Sequence, residues 1–469
     1  MMKTWLPATL AAAMSLTAFA PGRAQPPVDT TPAAIPGLTA FSGVSTLPMT
    51  SDEVLPGQTV VVRDGVILAV GAADALEIPP GANVIDGSGR FLMPGLAEMH
   101  AHVPPGADPP RDEVEDILFL YIANGITTIR GMLGSAYQIP LAGEIERGEV
   151  LGPNFYVGAP SINGRSAPAP EAAERLVRAH AEAGYHLQKI HPGVSRETWD
   201  HMVGVAREVG LTWAGHVPAD VGLVHAIETG MSTVDHLDGY VQAIAPEGVL
   251  AQVGAGPIRL GGLANGVDEA GLEEIVRLTI EHDVYVVPTM YLWENLYGAP
   301  NPDEMLRQPE MRYVSARTRE GWRRRAGGGW GTPEDVERYL GLRRRILRML
   351  SDAGAGILMG TDSPQLFNVP GFALHRELQV MAEAGMSNYE ILKSGTVTVG
   401  EYVASHLGLD GDFGTIAPGR RADLVLLGSN PLDDLVNLFD RVGVMVRGRW
   451  VSRAEIDAGL EALAAKHAG

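Results

Sequence analysis

Hydrophobic and polar positions along this chain follow two different periods. Near the start, Thr59-Val60-Val61-Val62 and Val66-Ile67-Leu68-Ala69-Val70 are apolar runs separated by Arg63-Asp64-Gly65. An Asp-Gly step between two such runs predicts a tight hairpin, because these residues tolerate the positive φ that the turn needs. Asn83-Val84-Ile85-Asp86-Gly87 predicts a further strand and turn. The same texture returns near the end, in Ala422–Leu427 and Val442–Val446, with Arg447-Gly448 as punctuation. Both ends together predict one small β-sandwich domain over residues 37–90 and 411–452, followed by a helix at Arg453–Lys466.

Between residues 91 and 410 short strand-like runs alternate with stretches of helical period. Strands are predicted at Leu96–Val103, Gly125–Met132, Asn154–Pro160, His186–His191, Thr212–Val217, Ser232–Leu237, Val284–Met290 and Gly356–Ser363. Helical patterns separate most of them, as at Pro170–Gly184, Arg196–Gly210 and Pro333–Gly354, and end in glycine, the usual left-handed residue after a helix. Eight βα repeats predict an α/β fold, a (β/α)8 TIM-like barrel set between the halves of the β-domain. Chemistry in such barrels gathers at the C-terminal ends of the strands. Residues 301–348 form a long, Arg-rich segment that includes Arg323-Arg324-Arg325 and Arg343-Arg344-Arg345. It reads as a solvated helical excursion with its charges outward. A lid over the barrel mouth is the alternative.

Composition narrows the function classes. The 469 residues are 45% hydrophobic and 20% charged, a globular balance. A formal net charge of -20 disfavours nucleic acid and anionic membrane surfaces as partners. The absence of cysteine excludes disulfides, thiolate nucleophiles and Cys-type zinc sites, so any metal must be held by His, Asp, Glu or a modified Lys. Lys3 and the short apolar run Leu6–Ala20 resemble the start of a secretory signal peptide. Ala18-Phe19-Ala20 and Gly22-Arg23-Ala24 supply small residues at cleavage spacing. A signal peptide is therefore expected over residues 1–24, with a Pro-rich linker over 25–36; an uncleaved anchor is the alternative. The expectation is an exported protein, periplasmic or secreted, free of the membrane after cleavage, with its oligomeric state left open to a homo-oligomer.

Candidate chemistry begins at Glu98-Met99-His100-Ala101-His102. Residues two apart on a strand face the same side, so His100 and His102 can offer two imidazoles to one metal. Lys189 ends the fourth predicted strand. A buried lysine there would lose its charge, and a neutral amine can take up carbon dioxide as a carbamate; a surface or paired lysine is the simpler alternative. His216 ends the fifth strand and His236 the sixth, and each alone also reads as a hydrogen-bonded structural histidine. Asp362 ends the eighth, where a helix cap or turn role is equally open.

Taken as a set, two His on strand one, Lys on four, His on five and six, and Asp on eight resemble the amidohydrolase superfamily in its binuclear form with a carboxylated lysine. Phe91–His102 resembles that superfamily's entry into its barrel, and Gly414–Leu426 its return to the β-domain. Gln188–His191, Gly215–Pro218 and Asp235–Tyr240 are similar to the imidazolonepropionase-like and Xaa-Pro dipeptidase-like branch. The resemblance implies two divalent metal ions, zinc first among the candidates. His100, His102 and Asp362 would hold one, His216 and His236 the other, with carboxylated Lys189 between them. It implies hydrolysis of a carbon–nitrogen bond in a small amide, dipeptide or cyclic amide by a metal-bridging hydroxide, with Asp362 as the catalytic general base and then acid. Substrate contacts are expected from Tyr240, Arg130, His191 and Trp293, and support to the site from His375. One departure is Arg130-Gly131-Met132, where relatives often carry Asp after the Arg. Lactone or phosphotriester hydrolysis on the same centre, and a non-catalytic exported binding protein, are the alternatives.

Overall fold

The computed structural model describes residues 37–246, 264, 267–298, 300–326 and 332–468. The expected signal peptide and linker lie outside the described residues. Strands β1 (Leu38–Thr46), β2 (Leu55–Arg63), β3 (Val66–Ala72), β4 (Asn83–Asp86) and β5 (Phe91–Pro94) come first in the chain. β13 (Leu424–Leu427), β14 (Arg441–Val446) and β15 (Arg449–Ser452) come last. They form one mixed sheet in the order β15-β14-β13-β5-β1-β2-β3, with β4 against β1. The β2–β3 hairpin closes across Arg63 and Val66, with Asp64 at φ 50° and Gly65 at φ 81°. Both turn residues thus take the positive φ that the Asp-Gly step predicts. β13 lies antiparallel to β5, so the end of the chain covers the strand that leads into the central region. Phe41, Val60, Val62, Ile67, Leu92, Leu424, Leu426 and Met445 form the apolar core of this sheet.

The central region is a TIM-barrel-like α/β fold. β6 (Leu96–Ala101), β7 (Ile126–Gly131) and β8 (Asn154–Val157) form one parallel set. β9 (Leu187–Ile190), β10 (Thr212–Gly215), β11 (Thr233–Asp235) and β12 (Tyr285–Val287) form another. A bridge between Gly158 and Leu187 connects the two sets. The helices at Pro170–Ala183 and Arg196–Val209 end on Gly184 and Gly210 in the left-handed conformation, at φ 86° and 71°.

The eighth predicted strand is different. Residues 356–363 carry only an isolated bridge, Val286 to Ile357. They still bond the first strand, through Met99 N–H to Met359 O at 2.8 Å and Asp362 N–H to His100 O at 3.0 Å. Regular pairing stops because a side chain takes the place of a ladder partner: the Glu98 carboxylate accepts the Thr361 N–H at 2.8 Å and the Thr361 hydroxyl at 2.6 Å. Asp362 then turns left-handed at φ 61°. An added Cβ at Gly360 would also lie 2.9 Å from His100 N, so the close approach of these two segments needs glycine there.

The Arg-rich segment corrects an expectation. Its described parts are helices at Pro302–Met305, Ala316–Arg325 and Pro333–Asp352 and a 3-10 turn at Pro309–Tyr313. Arg323 and Arg324 are exposed and pair with Asp303 and Glu320 on the same excursion. Arg343, expected to point outward, is instead buried against the core. Its helix packs one face on the central region, and position 343 falls on that face beside Tyr339, Leu342, Ile346 and Leu347. No described helix is long and apolar enough to cross a membrane.

Candidate metal centre

The end of β6 sends both His100 and His102 inward, and Asp362 meets them from the segment that follows β12. His102 Nε2 lies 2.5 Å from Asp362 Oδ1, and His100 Nε2 lies 3.7 Å from the same oxygen. One ligand atom from each of these residues falls within 4.8 Å of the others. His236 Nε2 is 3.8 Å from Asp362 Oδ2, and the His236 ring is 4.6 Å from His100 and 4.5 Å from His216. Lys189, on β9, is buried with its Nζ 3.3 Å from His100 Nε2. The structure therefore brings all six expected ligand residues together.

Electrostatics makes this cluster a donor set. Burial, reinforced by Lys189, lowers the His100 imidazole well below its usual range. Burial and His216 do the same at His236. Burial also lowers the Lys189 amine, outweighing Asp235 and Asp362. At Asp362 burial favours the neutral acid, but His100, His102 and Lys189 outweigh it and hold the carboxyl below its ordinary range. Neutral imidazoles around an ionised carboxylate can share lone pairs with a cation. His236 Nε2 is buried without a hydrogen-bond partner among the described residues. An orphaned buried nitrogen facing a carboxylate fits a divalent metal.

Several supporting side chains escaped the sequence reading. Asp238 Oδ2 accepts from His216 Nδ1 at 2.7 Å, and Asp235 Oδ2 lies 2.9 Å from His100 Nδ1. His236 Nδ1 pairs with Thr289 Oγ1 at 2.7 Å. The contacts at His216 and His236 occupy Nδ1 and turn Nε2 toward the cluster, the usual way an outer partner orients a metal-binding imidazole. Asp235-His236-Leu237-Asp238 carried a signal for two of them, since its carboxylates flank a ligand. Thr289 and Glu98 carried none.

The backbone here is unusual as well. His236, Leu237 and Thr289 sit at φ 65°, 52° and 44° without being glycine. Such positions cost about 1–3 kcal/mol each and cluster at functional sites. Arg343 offsets part of this by donating Nη2–H to the His236 carbonyl at 2.8 Å.

The expected substrate contacts divide. His191 packs its ring 5.0 Å from His216, and burial, with Lys189 and His216, lowers it to about 3. Trp293 stands 6.0 Å from the His236 ring and stacks on Tyr297, as a wall residue would. The other three are corrected. Tyr240 is buried and its hydroxyl bonds Thr279 at 2.8 Å, because Gly239 at φ 83° turns the chain into a helix that packs away from the metal cluster. Arg130 is fully buried beneath the cluster. It donates to Met99 O at 2.7 Å, to the Tyr402 hydroxyl at 2.9 Å and to Asp235 at 3.3 Å. His375 lies on the helix at Phe372–Glu383, stacked on Phe439 and bonded to Asn124 at 3.2 Å, on a face turned to the end of the chain.

Comparison with known proteins decides the family. The profile of the amidohydrolase family matches residues 91–451. The chain belongs to the amidohydrolase family. The superfamily depends on metal, and the cluster of His100, His102 and Asp362 is in keeping with that. This amidohydrolase is 25% identical to adenine deaminase 3 of Rhizobium meliloti (strain 1021) over 411 residues, 86% of the chain and 56% of the relative. It therefore spans about half the length of that curated relative. Bottromycin amidohydrolase superposes with a TM-score of 0.69 at 22% identity, covering 92% of this chain and 91% of that one. A Xaa-Pro dipeptidase with bound methionine superposes with a TM-score of 0.63 at 18% identity, covering 88% and 100%. At these identities the likeness is one of fold.

Proposed function

We propose that this amidohydrolase hydrolyses the amide bond of a small N-acyl amino acid or dipeptide, using two divalent metal ions, zinc by preference. This reading takes the eight strand positions as one closed barrel and the end sheet as a sandwich. His100, His102 and Asp362 would hold one metal and His216 and His236 the other, with Lys189 as a carbamate supplying a further carboxylate-like ligand. The observation that carries the reading is the convergence of these six residues around Asp362. The lowered amine of Lys189 supports carbamate formation, which requires a neutral nitrogen. The metals supply carbonyl polarisation and a water acidic enough to attack near neutral pH. Asp362 takes the proton released as the water oxygen bonds the carbonyl carbon. It then gives that proton to the nitrogen as the carbon–nitrogen bond breaks. Trp293 walls the pocket, and export by the N-terminal segment places the enzyme outside the cytoplasm.

The dipeptidase among the fold relatives favours a peptide-like substrate, and the deaminase keeps adenine in the test set. The test is a panel of N-acyl amino acids, Xaa-Pro dipeptides, adenine, lactones and phosphotriesters, run on zinc-loaded enzyme with metal counted. Turnover concentrated in the acyl and dipeptide members is expected. Turnover confined to lactones or phosphotriesters, or a loaded enzyme inert to every amide, would overturn the reading.

A further inference from the structure

Beside the metal cluster the surface opens into a groove of about 840 Å³, lined by Ser161, Asn163, Arg165, Ser166, His191 and their neighbours. Its inner end is His191, whose ring faces His216 at 5.0 Å. The wall comes from the loop after β8, and backbone bonds zip that loop to the end of β9. Ile162 N–H donates to Lys189 O at 2.9 Å, and His191 N–H donates to Ile162 O at 2.8 Å. Gly164 and Gly193 then cross so closely that a Cβ at 164 would lie 2.5 Å from the Gly193 carbonyl. Asn163 Oδ1 accepts the N–H groups of Arg165 and Ser166 at 2.9 and 3.1 Å, a side-chain turn that fixes the base of Arg165. The loop is thus held against the strand that carries Lys189.

Charge makes this wall distinctive. The chain has a net charge of -20, yet no acidic residue lines the groove. Arg165 is its cation, exposed and without an ion pair among the described residues. The other arginines near the site are already committed. Arg130 is bound to Asp235, Arg343 to the His236 carbonyl, and Arg344 to Glu294 at 2.9 Å. His191 adds a second polar group, since its Nδ1 is buried with no hydrogen-bond partner among the described residues.

We infer that Arg165 and the groove beside His191 seat a carboxylate of the substrate, so that the enzyme selects acylated amino acids with a free acid over neutral amides. A guanidinium fork matches a carboxylate with two parallel hydrogen bonds. The groove holds the anionic end while the scissile carbonyl lies at the metal cluster. The inference rests on the amide-hydrolase reading for its substrates, and it can be tested apart from turnover.

The experiment uses metal-loaded enzyme and matched pairs: N-acetyl-L-proline, N-acetyl-L-leucine and N-acetyl-L-alanine against their neutral C-terminal amides. Binding is measured by titration calorimetry and, where turnover occurs, KM and kcat by rate assay. The acids are expected to bind about 10-fold or more tightly than the amides, as a charge-assisted pair allows. Arg165→Gln should erase that preference, and Arg165→Lys should keep part of it. High salt should shrink the preference in the wild type. Equal or absent binding of acid and amide, or a preference that survives Arg165→Gln, would overturn the inference. A preference that Arg165→Gln removes in an enzyme inert to every amide of the substrate panel upholds the seat and rejects the amide-hydrolase reading.

Discussion

His100 and His216 belong to one cluster, but their surroundings are built differently. The His100 side chain is 1% exposed and Asp235 behind it is fully buried, whereas those of His216 and Asp238 are 20% and 21% exposed. On the His100 side the backbone itself is locked. Glu98 accepts the His100 N–H at 2.9 Å and both polar hydrogens of Thr361, while the Asp362 N–H closes onto the His100 carbonyl. Burial pushes the Glu98 carboxyl up to about 7 even with those bonds pulling it down. On the His216 side the ring meets His191 and then the open groove. One half of the centre thus has its geometry imposed by the fold, and the other can adjust toward a bound molecule. That division fits the proposed mechanism, in which Asp362 must stay fixed while a substrate is admitted beside His216.

The strongest way to break this comparison is at Asp362, the proposed proton carrier, which lies in the locked half. Asp362→Asn keeps the shape and the hydrogen bond to the His100 carbonyl but cannot cycle a proton. Turnover should fall about 10³-fold or more, the scale of a lost general acid–base group. Much of the metal should stay bound. Rate assays with metal analysis on the same samples check this, and near-normal turnover would remove Asp362 from its role.

Next in size is the lock. Glu98→Ala strands the buried N–H groups of His100 and Thr361 and the Thr361 hydroxyl. Orphaned buried donors cost about 1–3 kcal/mol each, so a loss of about 2–4 kcal/mol in unfolding free energy is expected after partial relaxation. Asp238→Ala should cost less than about 1 kcal/mol, because its partly exposed partner can turn to water. Denaturant titration of both variants measures the difference, and equal losses would mean the two halves are equally rigid.

Asp238 should matter instead for metal retention. Asp238→Asn leaves His216 without its carboxylate partner, and losing an outer partner typically weakens binding about 10–100-fold. The loss should fall on one metal equivalent, giving a two-step chelator titration with the second step unchanged. A single shifted step for both metals would show that the halves act as one unit.

How much of this was visible in the sequence follows from direction and depth. Period two on β6 put His100 and His102 on one side, a local fact that short-range periodicity carries. Lys189, His216, His236 and Asp362 each read alone as ordinary residues at predicted strand ends, and only the resemblance of the whole set to a known family singled them out. Arg130 shows the limit: an inward-facing position does not say how deep in the barrel it lies, and it serves Asp235 beneath the cluster rather than the mouth. Tyr240, expected as a substrate contact, bonds Thr279 instead because Gly239 turns the chain within one residue. His375 and Arg343 sit on helices whose periodicity was readable, but the surface each face meets is set by elements far away in the chain. Glu98 lay inside the quoted motif, yet its partner Thr361 is 263 residues distant.

The smallest expected effect lies at Trp293, on the wall shared by both halves. Its ring faces His236 at 6.0 Å, stacks on Tyr297 at 5.0 Å and lies under the Arg343 guanidinium at 5.1 Å. Trp293→Leu keeps an apolar wall but loses the aromatic face, an interaction worth about 0.5–1.5 kcal/mol. If the wall only receives substrate, the loss is the same in ground and transition states, so KM should rise about fivefold with kcat unchanged. If instead the wall holds His236 in its left-handed turn through Arg343, kcat should fall and KM stay put, because the ligand itself would shift. Steady-state kinetics on this one variant separates the two cases. A fall in kcat would assign Trp293 to the locked half of the site.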